Sequence, residues 1–350
     1  PHDVNIIAEV EKIKGPEEIN FTARPELIQI IGEDVDSVYL EKVKTLFLSP
    51  DSIARNKDLK IVFTPSHGTG ITLIPRCLKD MGFDNVILVD EQTVISGDFP
   101  TVVSPNPEEP AALDMAIRKA KEVDADIVMA SDPDADRMGI AVKNDKGEWI
   151  LVNGNQTCMM FTYYILRRRH ELGLLKGKEF MVKTIVTTEI MKDICNYYNT
   201  PLLDCYTGFK WIANEMAKFE NTNCNNYIFG FEESYGYNVE TDVRDKDGVS
   251  AAAMCAEMTL YWRTQGKSLL QRLEELYTTY GYFQDSAISQ NFPGASGGQT
   301  MKNIMSKLRT EGLKSLGFKV AEIDAVLSKI GNEVKTSEEY LKEALKLLRK

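Results

Sequence analysis

A regular exchange of short apolar runs and helix-spaced stretches begins at Lys60. Lys60-Ile61-Val62-Phe63-Thr64 has the length and branching of a buried strand. Gly68-Thr69-Gly70 then turns the chain into a stretch with Ile71, Ile74, Leu78 and Met81 at helical spacing. Val86–Val89 predicts the next strand. Pro110 opens a helix that runs to about Val123 through Leu113, Ile117 and Ala120. Asp126–Ala130 predicts a third strand. Met138–Lys143 and Trp149–Val152 read as a hairpin around Asn144-Asp145-Lys146-Gly147.

The alternation then repeats. Helices are predicted over Gln156–Leu172, Glu189–Tyr198 and Trp211–Phe219, and strands over Phe180–Ile185, Pro201–Tyr206 and Tyr227–Phe231. Two apolar helices follow, at Val249–Thr264 and Leu269–Tyr280. Strands that alternate with helices need sheets covered on both faces. The pattern predicts an α/β fold: two tandem three-layer α/β domains with mixed sheets, plus a small helical C-terminal tail. Residues 1–39 read as a connecting segment leading to a helix near Val38–Leu48. The first domain is expected over 40–153, the second over 154–310 and the tail over 311–350. Residues 284–300, rich in Gly, Ser, Gln and Asn, read as loop. The charged stretch from Met301 reads as helix, ending in a capped amphipathic segment over Ser337–Leu345.

The whole-chain numbers narrow the class. A 43% hydrophobic and 27% charged content is that of a globular protein. No run is long and apolar enough for a membrane span, and the start Pro1-His2-Asp3 shows no signal-peptide pattern. The start also lacks a Met, as expected of a fragment or a processed chain. A net charge of −11 argues against nucleic acid as the main partner. It leaves room for a small anion held by local cations. The six cysteines are widely spaced, with no Cys-x-x-Cys pair, and read as reduced thiols of a cytoplasmic protein.

The chemistry concentrates after the third strand, in Ser131-Asp132-Pro133-Asp134-Ala135-Asp136-Arg137. Asp132, Asp134 and Asp136 stand at alternate positions, and in extended backbone alternate side chains share a side. Three convergent carboxylates repel unless a cation neutralises them, and an all-oxygen set selects a hard ion such as Mg²⁺ or Ca²⁺. Arg137 follows, suited to hold a phosphate beside the ion. An EF-hand needs Gly at position six and Glu at position twelve, where Arg137 and Lys143 stand. A haloacid-dehalogenase-type phosphatase expects Thr or Val soon after its second Asp, where Ala135-Asp136-Arg137 occurs. A solvated acidic turn is the bland alternative. The C-terminal end of a strand is where open α/β sheets bind ligands.

Several segments then resemble the α-D-phosphohexomutases, in the family's order. Ser131–Arg137 resembles their metal-binding loop. Thr207-Gly208-Phe209-Lys210-Trp211-Ile212 is similar to their specificity loop, and Phe231-Glu232-Glu233-Ser234-Tyr235-Gly236-Tyr237 to their sugar-binding loop. Arg244-Asp245-Lys246-Asp247-Gly248 is similar to the stretch that brings a lysine to the substrate. Thr64–Gly70 and Ser104–Pro110 look like landmarks of the preceding domain. The branch it resembles is the phosphoglucomutase/phosphomannomutase group that includes phosphopentomutases.

The resemblance implies a phosphosugar mutase that moves phosphate between C1 and C6 of glucose or mannose through a phosphoserine and a bisphosphorylated sugar. It implies Mg²⁺ on Asp132, Asp134 and Asp136, and a phosphate steadied by Arg137. It implies sugar hydroxyls held by Glu232 and Ser234, a pocket shaped by Thr207 and Gly208, and a Lys246 that moves a proton or holds the phosphate. Thr207-Gly208 also reads as a plain helix cap. The partner is a small phosphosugar, with no nucleic acid and no membrane.

Two family pieces do not occur in the sequence: the Thr-Ala-Ser-His-Asn-Pro-type nucleophile loop and the Arg-x-Ser-Gly-Thr-Glu-Pro-type phosphate loop. Ser66-His67 continues as Gly68-Thr69-Gly70 into a helix, and reads as a structural turn. The chain alone is therefore expected to turn over little. A non-catalytic phosphosugar-binding module and a metal-dependent phosphatase are the competing readings. Residues 312–350 resemble the C-terminal domain of RuvA.

Overall fold

The computed structural model describes residues 2–56, 58–219, 226–239, 241–285, 292 and 294–315. By its internal contacts the chain divides into two units, Pro1–Thr45 and Leu46–Lys350.

The first unit carries helix α1 (His2–Val10), two single 3₁₀ turns and helix α2 (Glu33–Lys44). Few apolar periods announce α1, and its Val4, Ile6, Ile7 and Val10 are exposed. The helix expected near Val38–Leu48 starts earlier. Glu33, Asp34 and Asp36 occupy its first turn and Lys42 and Lys44 its last, which suits the helix dipole at both ends.

The second unit opens with α3 (Pro50–Arg55) and builds a five-stranded sheet from β1 (Lys60–Thr64), β2 (Asn85–Leu88), β3 (Ile127–Ser131), β4 (Met138–Lys143) and β5 (Trp149–Val152). The order is β2-β1-β3-β4-β5. The first three strands are parallel, and the hairpin β4–β5 adds antiparallel. Helix α4 (Gly70–Asp80) follows β1, and α5 (Asp114–Val123) precedes β3. Alternation decides the faces. Val62, Val128, Ala130 and Ala141 pack with Ala116 and Ala120 of α5. The intervening Ile61, Phe63, Ile127 and Met129 are buried on the other face.

A second sheet, in the order β7-β6-β8-β9, uses β6 (Glu179–Thr184), β7 (Leu202–Cys205), β8 (Asn226–Glu232) and β9 (Gly236–Asn238). Again β6 pairs parallel with β7 and β8, while β9 is antiparallel. Its helices are α6 (Gly154–Glu171), α7 (Ile190–Tyr197) and α8 (Phe209–Phe219). Asn153 and Gln156 form a capping box that starts α6. Phe209, Ile212 and Met216 of α8 pack on Phe180, Val182 and Tyr227.

Helix α9 (Gly248–Thr264) is buried along most of its length and packs against α3, α4, β4, α6 and β9. It therefore ties the two sheets into one body. Helix α10 (Leu269–Tyr280) covers α6, α7 and α9. The stretch read as loop over 284–300 turns helical at Ala295, where α11 (Ala295–Ser315) opens. The amphipathic segment at Ser337–Leu345 lies outside the described residues. Among the described residues no helix is long and apolar enough to cross a membrane. Cys77, Cys158, Cys195, Cys205 and Cys255 are buried.

Candidate functional site

The acidic loop leaves the C-terminal end of β3, the central strand of the first sheet. Carboxylate oxygens of Asp132, Asp134 and Asp136 all lie within 4.8 Å of one another. The convergence holds, but by a different route from an extended strand. The backbone turns: Ala135 N donates to Asp132 O, and Ala135 sits at a φ of 57°. A non-glycine residue in that region is uncommon, and such strain gathers at functional loops. Asp132 Oδ1 accepts from the backbone N–H of Asp136 at 3.1 Å and of Arg137 at 3.0 Å. Burial, reinforced by Asp136 and Asp134, still pushes the Asp132 carboxyl up to about 7. Lys246 and Arg137 stand beside Asp136 and Asp132, yet burial and the neighbouring carboxylates still disfavour charge on Asp132, a condition a hard cation relieves. Ser131 Oγ, buried at the mouth of the loop, has no hydrogen-bond partner either.

Glu232, Glu233 and Ser234 turn the chain from β8 to β9, with Tyr235 at a φ of 62°. Glu232 Oε1 accepts from Gly208 N at 2.7 Å, which joins the two segments read as specificity and sugar-binding loops. Gly208 O accepts from Trp211 N in the first turn of α8. Thr207 beside it is exposed. Glu233 Oε2 accepts from Thr184 Oγ1 at 3.2 Å and Thr187 Oγ1 at 3.1 Å.

Beneath that turn lies a group the sequence reading missed. Lys183, 0% exposed, directs its amine to Glu189 at 3.0 Å, Asp204 at 3.0 Å and the carbonyl of Thr187 at 2.9 Å. A buried ammonium needs such partners. The lysine steadies the Thr184–Thr187 turn on which Glu233 rests. An inward lysine within an apolar strand was the available signal.

Three links bring the two loops together. Met138 N donates to Tyr235 O at 3.1 Å, beside a bridge between Arg137 and Gly236. Gly248 N, the first residue of α9, donates to Ala135 O at 3.0 Å. Lys246 Nζ reaches Asp136 Oδ2 at 3.1 Å and lies 5.7 Å from the centre of the Phe209 ring. Its stem passes over Gly236, where a Cβ would overlap it. Burial opposes the charge on Lys246, but its hydrogen bond to Asp136 and the charges of Asp136, Asp245 and Glu232 together outweigh burial and hold the amine above the usual lysine value. Arg137, in turn, donates from Nη1 to Glu108 Oε1 at 2.9 Å. Glu108 comes from the Ser104–Pro110 segment and was not singled out as a site residue in the sequence.

Ser66 and His67 occupy a buried turn at φ of 49° and 64°. The His67 ring is held by Val94 O at 2.9 Å and Thr101 Oγ1 at 2.8 Å. Ser66 is 0% exposed. The turn is built into the fold, with its serine closed to solvent.

Comparison with known proteins follows this geometry. Residues 37–147 match the family model for phosphoglucomutase/phosphomannomutase α/β/α domain II, and residues 153–280 match that for domain III. Residues 310–349 match the model for the RuvA C-terminal domain. A Staphylococcus epidermidis phosphoglucomutase is 32% identical over 320 residues, covering 90% of this chain and 57% of the relative. A Staphylococcus aureus phosphoglucomutase is 35% identical over 272 residues, covering 77% of this chain and 48% of the relative. The chain spans about half the length of these relatives. Among solved structures, the Paramecium phosphoprotein pp63/parafusin, a phosphoglucomutase, aligns with a TM-score of 0.55 at 18% identity, over 80% of this chain and 48% of that one. A phosphoglucomutase/phosphomannomutase family protein of Burkholderia thailandensis aligns with a TM-score of 0.52 at 22% identity, over 73% and 48%. These structures share the fold. Two successive domain models, matched in order and borne out by that shared fold, place the chain in the phosphoglucomutase/phosphomannomutase family of the α-D-phosphohexomutase superfamily, to which it belongs.

Proposed function

We propose that residues 40–153 and 154–310 are the metal-binding and sugar-binding domains of a phosphosugar mutase acting between C1 and C6 of a hexose phosphate. The observation that carries this reading is the single corner formed by the two loops. Lys246 contacts the acidic cluster at Asp136 and the edge of the specificity segment at Phe209. Chemistry at a phosphate and recognition of a sugar need that proximity.

The donor set fits the expected ion. Three aspartates converge within 4.8 Å, all their donors are oxygen, and the buried Asp132 needs a counter-charge. Asp132, Asp134 and Asp136 would hold Mg²⁺, which supplies charge neutralisation to a transferring phosphoryl group. Arg137 presents a permanent cation next to the cluster to steady a phosphate, and Lys246 presents a second. Glu232 offers a carboxylate and Ser234 a hydroxyl, an acceptor and a donor suited to neighbouring sugar hydroxyls. Gly208 N donates to the Glu232 carboxylate, and Thr207 precedes it in the chain.

These 350 residues contain no Ser-His-Asn-Pro loop, and Ser66 is buried. The chain alone should therefore bind a phosphosugar but isomerise it slowly. A coupled assay of glucose 1-phosphate conversion to glucose 6-phosphate tests this. Turnover near background supports the reading. Robust turnover abolished by Ser66→Ala would overturn the placement of the nucleophile. Release of inorganic phosphate without isomerisation would assign a phosphatase instead.

A further inference from the structure

We propose that Glu108 is a positioning residue for the acidic loop: it draws the Arg137 guanidinium off Asp132 and Asp136, so that a divalent cation neutralises them in place of the arginine. The inference rests on reading that loop as a metal site.

The distances state the competition. Arg137 Nη1 makes a hydrogen bond of 2.9 Å to Glu108 Oε1. Its Nε stands 3.7 Å from Asp132 Oδ2 and 3.7 Å from Asp136 Oδ1, beyond hydrogen-bond reach of either. A guanidinium is a permanent cation whose fork suits carboxylates two at a time. Freed from Glu108, it needs to shift by less than an ångström (3.7 Å against 2.9 Å) to engage carboxylates that would hold a metal.

Glu108 is held in place by a built loop. Asn106 Oδ1 accepts from Glu108 N at 3.0 Å, Asn106 O accepts from Glu109 N at 3.0 Å, and Ser104 Oγ donates to Glu109 at 2.9 Å. Pro107 lies flat on Gly139, two residues beyond Arg137 in β4. A Cβ at Gly139 would stand 2.8 Å from Pro107 Cβ. Pro107, the neighbour of Glu108, thus sits on β4 just beyond Arg137. As a contributor to folding the pair is minor: both side chains are about a third or more exposed, where solvent screens an ion pair. Stability alone does not account for a loop so closely fitted.

The test is a calorimetric Mg²⁺ titration of the 350-residue chain as wild type, Glu108→Gln, Arg137→Gln and the double variant. Glu108→Gln should weaken Mg²⁺ by about tenfold, an interaction of the size contacting groups show in double-mutant cycles. In the Arg137→Gln background the same change should cost less than about twofold, because no guanidinium is left to compete. Equal weakening in both backgrounds would assign the effect to charge or loop structure and overturn the proposal. So would an unchanged affinity in Glu108→Gln. A wild type that binds no Mg²⁺ would remove the metal reading itself and the proposal with it.

Discussion

Two carboxylates of this protein, Asp132 and Glu257, are pushed up to about 7 by the same first cause, burial, and their surroundings could hardly differ more. Asp132 stands among other carboxylates, in a strained loop at the end of a strand. Glu257 lies in the middle of α9, 0% exposed, enclosed by donors. Its Oε1 accepts from Leu48 N at 2.9 Å and also from Ser49 N. The Tyr164 hydroxyl donates to Ser49 Oγ at 3.0 Å. Arg168 Nε donates to Ser49 Oγ at 2.8 Å. One carboxylate lies against two others, with Arg137 3.7 Å away. The other fastens the chain entering α3 to the helix that joins both sheets. A perturbed carboxylate by itself marks neither role; its neighbours do.

That contrast is breakable. Glu257→Ala should be the most damaging change, because it strands two buried N–H groups and opens a cavity. We expect a loss of about 4 kcal/mol, read by urea unfolding. A loss below about 1 kcal/mol would show that the seam is not a fastening. Asp134→Asn should do the reverse. It removes like-charge repulsion at an exposed position, so the thermal midpoint should hold or rise, while Mg²⁺ affinity falls by about a hundredfold or more, the upper end of losses seen when metal shells are cut. A midpoint that drops together with the affinity would make the cluster a structural element.

The third expectation concerns pH. Glu257 has a folded value of about 7 against 4.5 for the free group, so the folded state holds its proton more tightly. Its favourable contribution is complete below about pH 4.5 and is lost as pH rises through about 7. Between pH 5 and pH 7 this amounts to about 2 kcal/mol. Glu257→Gln should remove that slope from the unfolding free energy. A slope equal to that of the wild type would place the titration elsewhere.

Much of this was legible along the chain, and what was not has a physical reason. Strands β1, β4 and β5 and helix α10 fall on the residues their periodicity marked, because each buries one face or sits between clear turns. The acidic loop was legible because its three ligand candidates lie within five residues. Strand β9 was not, since three residues carry no period. Helix α1 was hidden in a polar stretch whose apolar residues stay exposed. The partners that give the site its shape are far apart in sequence. Glu108 meets Arg137 across 29 positions, and Glu257 meets Leu48 across 209. No local pattern announces such pairs; only the fold brings them together. Lys183 is intermediate, an odd charge in an apolar strand whose neighbours alone explain it.

The central claim is that the acidic loop and the sugar-binding turn form one site. Linkage tests it directly: the affinity for glucose 1,6-bisphosphate, measured by calorimetry with and without Mg²⁺. One site predicts that Mg²⁺ tightens the bisphosphate by about tenfold or more, with the same factor in reverse, and that Asp134→Asn abolishes the coupling. An affinity indifferent to Mg²⁺, or a coupling that survives Asp134→Asn, would contradict it.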